Sequence, residues 1–411
     1  MQTLPYFTAD SPGIGGRIKQ DVQDFLVEEV PLEAPSGRGR HLHFCVRKAG
    51  LPTMAAADRI AKFMGVRPGD VHVAGLKDAY AVTVQWMSIE NGQAGRLERF
   101  RDGQIRIVQT ANHHSPLRLG KLAGNRFVVR LRGVGVRQLP AARAVLEVLA
   151  RRGVPNFFGE QRFGSRGDTG TLGEAMVRHD LGRFVRLFLG GASRYDPAEF
   201  RVARAAFDRG ELGKALGLWP RHCYNQRKAL AAYMRKRSAV SALAAIDKRL
   251  RGLYVSAYQS ELFNEVLCRR LEGIDRVLPG DLAMPAAGGR FHVVKSLAAE
   301  QAKVDRFELD PTGPIFGHRS ILAQGEPGRI ERSVLDRHKL TLESFQNVGP
   351  LDAKGARRAL RFAMGQPRLR ADKDARGAYL ELAFFAPSGC YATVVLREIM
   401  KADVPAEGGP E

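Results

Sequence analysis

The chain has 411 residues, 44% hydrophobic and 26% charged, the proportions of a globular protein long enough for two domains and a sizeable core. Its formal charge of +21, from 64 Lys and Arg against 43 Asp and Glu, favours a polyanionic partner: nucleic acid first, then an anionic membrane surface or a merely basic solvated face. No apolar run of about 18 residues is present to cross a membrane, and residues 1–10 carry neither a basic leader nor an apolar signal core, so a cytoplasmic protein is expected.

Gly13-Ile-Gly-Gly16 reads as a loop, because neither a strand before it nor a helix after it completes a phosphate cradle. Arg17-Ile-Lys19 and Asp24-Phe-Leu-Val-Glu-Glu29 follow, and 41–47 alternates as a strand. Thr53 is expected to cap a helix with Ala57, Ile60, Ala61 and Met64 on one face and Gly65 at its end. Two strand-like runs then converge on one acid. Val71, Val73 and Ala74 precede Asp78, and Val82, Val84 and Trp86 alternate with Thr83, Gln85 and Met87 after it. Gly75 supplies the turn, so Asp78 stands at a strand tip fixed on both sides by sheet. On spacing alone, that acid reads either as a catalytic group or as ordinary turn chemistry.

A basic loop from Arg118 to Arg126 leads into a strand at 127–132, and Ala142, Val145, Leu146 and Leu149 pattern a helix stopped by Gly153. The character changes near Asn156. Helices are expected over much of 171–272, the clearest starting from a capping box at Ser256 and Gln259 and ending at Gly273. Short strands and turns such as Asp310-Pro-Thr-Gly-Pro314 follow to 350, then a basic helix at 353–364. A strand at 378–385, a turn at 386–389 and a second run at 391–398 predict a final hairpin. If that hairpin pairs with the N-terminal sheet, the middle of the chain is an insertion into one split domain. The tail from about Pro405 reads as disordered.

Residues 227–251 hold Arg227, Lys228, Arg235, Lys236, Arg237, Lys248, Arg249 and Arg251 against the single acid Asp247, a face suited to phosphate. Cys45, Cys223, Cys268 and Cys390 are scattered and read as free thiols. His41, His43, His113 and His114 lack a matching second ligand pair, so no metal site is expected.

Gly75-Leu-Lys-Asp-Ala-Tyr-Ala-Val-Thr-Val-Gln85 resembles the signature of the tRNA pseudouridine synthase D (TruD) family, roughly G-x-K-D-x-x-A-x-T-x-Q. Five further blocks agree in order: 24–29, 124–127, 153–164, 257–264 and 389–398. The resemblance implies a mixed α/β (α+β) fold: a V-shaped molecule whose pseudouridine synthase catalytic domain has a central, largely antiparallel sheet interrupted by an inserted α/β domain. Boundaries are expected at 1–155 with 363–411 for the catalytic domain, and 156–362 for the insertion. It further implies conversion of uridine to pseudouridine in tRNA, at position 13, with no cofactor and no metal; a monomer is expected. By motif position Asp78 matches the catalytic aspartate, Phe25, Asn125 and Tyr391 match residues lining the uridine pocket, and Phe127 matches the aromatic beside it. Lys19 falls where the family places a lysine able to pair with the aspartate. Tyr391 stands where some members have Phe.

The chemistry breaks the base from C1′, turns it and rejoins it through C5, which requires an ionised carboxylate at the reacting carbon and a pocket that keeps the free base. A cation such as Lys19 offsets the burial that otherwise raises a carboxyl pKa. A uridine inside folded tRNA must also be extruded, at a cost of a few kcal/mol. Aromatic faces at Phe25, Phe127 and Tyr391 offer stacking in return, and Asn125 offers an amide edge. Without the resemblance, Phe25 and Phe127 read as core. Two rivals carry less of the pattern. A non-catalytic RNA-binding protein or chaperone has no need of Asp78, and a metal-dependent nuclease would need clustered carboxylates that do not surround it.

Overall fold

In the computed structural model, the described residues are 4–164, 166–194, 196–348 and 352–402. The N-terminal part alternates strands with short helices: β1 (Phe25–Pro31), β2 (His41–Ala49), α1 (Thr53–Met64), β3 (Val71–Val73), β4 (Val82–Glu90), α2 (Ala94–Leu97), β5 (Ile105–His113), β6 (Leu122–Arg132), α3 (Leu139–Arg152) and β7 (Val154–Pro155). Helix α1 ends as its sequence predicts, at a Gly65 in the left-handed region with φ +70°. Its start differs. Pro52 is the N-cap and Thr53 the first helical residue, its hydroxyl engaged by another loop instead of serving as a cap.

The middle of the chain is mainly helical: α4 (Thr169–Val177), α5 (Leu181–Leu189), α6 (Ala198–Asp208), α7 (Leu212–Leu218), α8 (Tyr224–Lys236), α9 (Ala239–Ala244) and α10 (Lys248–Arg270). After these come β8 (Leu282–Pro285), β9 (His292–Val293), α11 (Leu297–Asp305), β10 (Leu309–Ile315), α12 (Gly325–Arg337) and β11 (Ala356–Ala359). Four expectations fail here, the first being the run of short strands and turns to 350, which also holds helices α11 and α12. Helix α10 starts eight residues before Ser256, capped by Asp247, whose side chain accepts from Arg249 N at 2.7 Å. Asp310 to Pro314 lies inside strand β10, which switches partners along its length and so gives its prolines places where no N–H is required: β8 covers 309–311 and β11 covers 312–315. The basic helix expected at 353–364 is strand instead, with Arg357 buried against Glu331 at 2.7 Å.

The chain returns through β12 (Arg361–Phe362), β13 (Gly365–Asp374), β14 (Gly377–Pro387) and α13 (Ala392–Met400). The second arm of the expected final hairpin is therefore a helix; its Val394, Val395, Leu396 and Ile399 are all buried, so packing outweighs the β-branched run. Strand β14 pairs with β6 as expected of the C-terminal strand. The large sheet runs β13-β14-β6-β1-β4-β2-β5, and β3 adds to the β4 edge that β1 leaves uncovered. It is mostly antiparallel, with β1 parallel to β4. Two compact units result: Tyr6–Asn156 with the chain from Arg361 onward, and Phe157–Leu360 with the residues before Tyr6. In the first, α1 seals Phe44, Val46, Met87 and Ile89 of the sheet under Ile60 and Ala61. In the second, the core gathers around Tyr254, Tyr258 and Leu262 of α10, with Phe184, Phe188 and Trp219.

Candidate active site

Register places two rows of side chains across one face of the large sheet. One row is Lys48, Thr83, Val27, Phe127 and Phe384; the next contains Val46, Gln85, Asn125 and Ala386, with Glu29 paired to Asn125. Above these rows runs the loop from β3 to β4, which carries Asp78.

Four side-chain anchors fix that loop. The Thr53 hydroxyl accepts from Lys77 N at 2.9 Å and bonds Gln85 Oε1 at 3.0 Å. Gln85 Nε2 reaches Gly75 O at 3.4 Å. Lys48 Nζ donates to Asp78 O at 3.0 Å and to Leu51 O at 2.6 Å. Lys77 forms a buried ion pair with Glu29 at 2.6 Å, and Glu29 in turn accepts from Trp86 N at 3.2 Å. Every anchor stands on a strand or at a helix start, so the acid is held by rigid elements although it sits in a loop.

The Asp78 carboxylate has two partners. Its Oδ1 accepts from Tyr80 N at 3.2 Å, and its Oδ2 pairs with Lys19 Nζ. The Lys19 side chain is 1% exposed and that of Asp78 23%, which leaves the acid open to solvent on one side. Lys19 owes its place to the end of β6: Arg17 and Arg132 exchange backbone bonds of 2.9 and 2.8 Å, and the buried Arg132 guanidinium grips Asp24 at 2.6 Å. Lys19 itself has φ +53°, a left-handed turn that brings its side chain back over the sheet. Of the three lysines around the loop, Lys77 is neutralised by Glu29 and Lys48 serves carbonyls, so Lys19 is the counter-ion of Asp78 among the described residues.

Lys48 is fully buried, and burial brings its pKa down to about 8; the Asp78 charge opposes that shift and the Lys77 charge adds to it.

The aromatic residues divide. Phe25 lies with its ring 4.9 Å under Lys19 Nζ and edge-on to Phe127, which stacks on Phe384 at 5.3 Å. Both rings are closed in, 4% and 8% exposed. Tyr391 is partly exposed and is the N-cap residue of α13. Asn125 Oδ1 is buried with no hydrogen-bond partner among the described residues. The structure therefore joins Asp78, Lys19, Phe25 and Phe127 in one chain of contacts, sets Asn125 two residues from Phe127 on the same face, and places Tyr391 a turn beyond the end of β14.

Lys48, Thr53 and Lys77 are supporting residues that sequence reasoning passed over. The inward row Leu42, Phe44, Val46, Lys48 on β2 was a readable sign, since a lysine in an apolar row needs a polar partner inside. Among the described residues no group of three potential metal ligands occurs.

The chain is matched over residues 3–399 by the family model of tRNA pseudouridine synthase D (TruD). It is 41% identical to a tRNA pseudouridine synthase D of Geobacter metallireducens over 97% of this chain and 98% of that one. A probable tRNA pseudouridine synthase D of Thermococcus onnurineus is 32% identical over 96% of this chain and 97% of its own. The crystal structure of a putative tRNA pseudouridine synthase D from Methanosarcina mazei superposes with a TM-score of 0.83 at 28% identity, covering 97% and 96% of the two chains. With a family model spanning nearly its whole length and relatives matched end to end, this chain belongs to the tRNA pseudouridine synthase D (TruD) family.

Proposed function

We infer that the chain converts uridine to pseudouridine in tRNA, and we propose that it does so at position 13 with Asp78 as the carboxylate acting at the reacting carbon. The observation that carries this reading is an acid held on a pinned loop, paired with one buried lysine and open on one side. In this reading Lys19 pairs with and aims the Asp78 carboxylate, while the Tyr80 N–H fixes its second oxygen. Asn125 Oδ1, an acceptor without a partner among the described residues, suits the N3–H of uracil. Phe25 and Phe127 are the wall behind Lys19, and Tyr391, the partly exposed ring, is the stacking face for the flipped base. The unit of residues 6–156 and 361 onward is the catalytic domain and 157–360 the family-specific insertion. The protein works as a cytoplasmic monomer; among the described residues no helix is long and apolar enough to cross a membrane.

Asp78→Asn tests the assignment directly. Pseudouridine formation should fall by about a thousandfold or more with tRNA affinity retained; a wild-type rate in that variant would remove Asp78 from the chemistry. A non-catalytic RNA binder would show no product with either protein.

A further inference from the structure

The proposed reaction, on which this inference rests, takes a uridine out of a stacked, folded tRNA, and the space it leaves must be filled or the base returns. Two leucines on the turns that adjoin the Asp78 loop stand without cover. Leu76, two residues before the acid, is 67% exposed, and Leu119 is 70% exposed. Neither position is one where a leucine is expected. Leu119 is the first corner of a turn closed by Lys121 N to Arg118 O at 3.0 Å, with Gly120 as the second corner at φ +84°, a place usually given to polar or small residues. Leu76 lies in the irregular loop between β3 and β4.

One hydrogen bond stitches the two turns together. Gly120 N donates to Ala74 O at 2.8 Å, so each leucine lies within two residues of the same bond. Both backbones are anchored. Gln85 and Thr53 hold residues 75 and 77, while Leu117 N donates to Ser88 Oγ at 3.0 Å and Ser115 O lies 2.8 Å from His43 Nε2. Exposed leucines on mobile tips are commonplace, but these are fixed in space. Each forgoes the stabilisation that a buried leucine would contribute. Arg118 and Lys121, on either side of Leu119, are exposed and form no ion pair among the described residues, the pattern of cations kept for phosphate. Two exposed leucines on turns joined by one hydrogen bond, one of them flanked by unpaired cations, next to the loop of an acid that must receive an extruded base, are complementary to a nucleotide stack.

We propose that Leu76 and Leu119 form an apolar wedge that enters the tRNA base stack as the target uridine moves out towards Asp78, with Arg118 and Lys121 holding the flanking phosphates.

The test uses the full-length protein and a tRNA transcript carrying 2-aminopurine next to the target uridine, whose fluorescence rises on unstacking. For the Leu76→Ala, Leu119→Ala double variant, tRNA affinity should stay within about threefold of wild type, the fluorescence rise should largely vanish, and single-turnover product formation should slow about tenfold or more. A second transcript with abasic sites at the nucleotides that stack on and pair with the target uridine should restore the rate of the double variant. Leu76→Met and Leu119→Met, which keep an apolar side chain of similar size, should recover the fluorescence rise lost in the alanine double variant. A full fluorescence rise in the double variant, or equal slowing on both transcripts, overturns the wedge. Asp78→Asn separates the two ideas: it should keep the rise and lose product. If it keeps product, the catalytic assignment fails while the fluorescence of the leucine variants still decides the wedge.

Discussion

Lys48 links the electrostatics of the site to pH. Its ammonium is the sole side-chain donor to Asp78 O among the described residues, and burial sets its pKa at about 8, against 10.5 for a free lysine. Between those values the unfolded chain carries the extra proton, so raising pH through this window stabilises the fold. Below it, Lys48 is charged in both states and the cost of burying the charge is felt in full. Function runs the other way, because a neutral amine holds the Asp78 and Leu51 carbonyls less strongly than an ammonium does. Activity should therefore decline above about pH 8 while the urea midpoint does not fall. Lys48→Met should lower kcat by roughly 10- to 100-fold with little change in KM, as loss of an orienting partner does, and should abolish the alkaline decline. A decline that persists in Lys48→Met would assign it to another group; Lys77 and Asp78 are the charged neighbours that act on Lys48.

Helix α1 is the element that couples fold to site, because its first residue, Thr53, is also a support of the Asp78 loop. Thr53→Val keeps the shape and removes the acceptor for Lys77 N, leaving a partly buried N–H unpaired at a cost of about 1 kcal/mol. The expected outcome is a lower unfolding free energy in urea together with a lower kcat, both recovered in Thr53→Ser; a normal kcat in Thr53→Val would mean that the loop holds itself. Much of this arrangement was legible. Alternation around Val82 and His41, the periodicity of α1 and the acid between two strands could all be read because each is a local pattern facing one core. The role of Thr53 was not, since a threonine before a helix reads as a cap and its real partner lies 24 residues on. Helix α13 was hidden behind Thr393, Val394 and Val395, whose strand preference gives way to burial of Val394 and Val395. Strand β11 was hidden because Arg357 and Arg358 look like a solvated helix face, whereas Arg357 is pulled inside by Glu331 and Thr312.

At the scale of the whole molecule, an excess of 21 positive charges makes tRNA binding a counterion-release process, whatever the chemistry at Asp78. The 227–251 segment contributes unevenly. Arg227 is turned inward onto Leu216 O and Trp219 O at 2.8 and 2.7 Å, and Arg251 is buried. Lys228, Arg235, Lys236, Arg237, Lys248 and Arg249 remain exposed and form no ion pairs among the described residues. The phosphate-facing set is thus six cations rather than the eight that the sequence offered. Reversing Arg235, Lys236 and Arg237 to Glu, all at the exposed end of α8, disturbs nothing buried. It should weaken tRNA binding and flatten the plot of log K against log salt by about 0.7 to 0.9 for each phosphate no longer neutralised, two to three in all if every one of them meets the backbone. Arg227→Glu alone should leave that slope unchanged and instead destabilise the fold, because it cuts the tie between α8 and the carbonyls at the end of α7. An unaltered slope in the triple reversal would move the tRNA footprint off this segment and onto other exposed cations, Arg118 and Lys121 beside the proposed site among them.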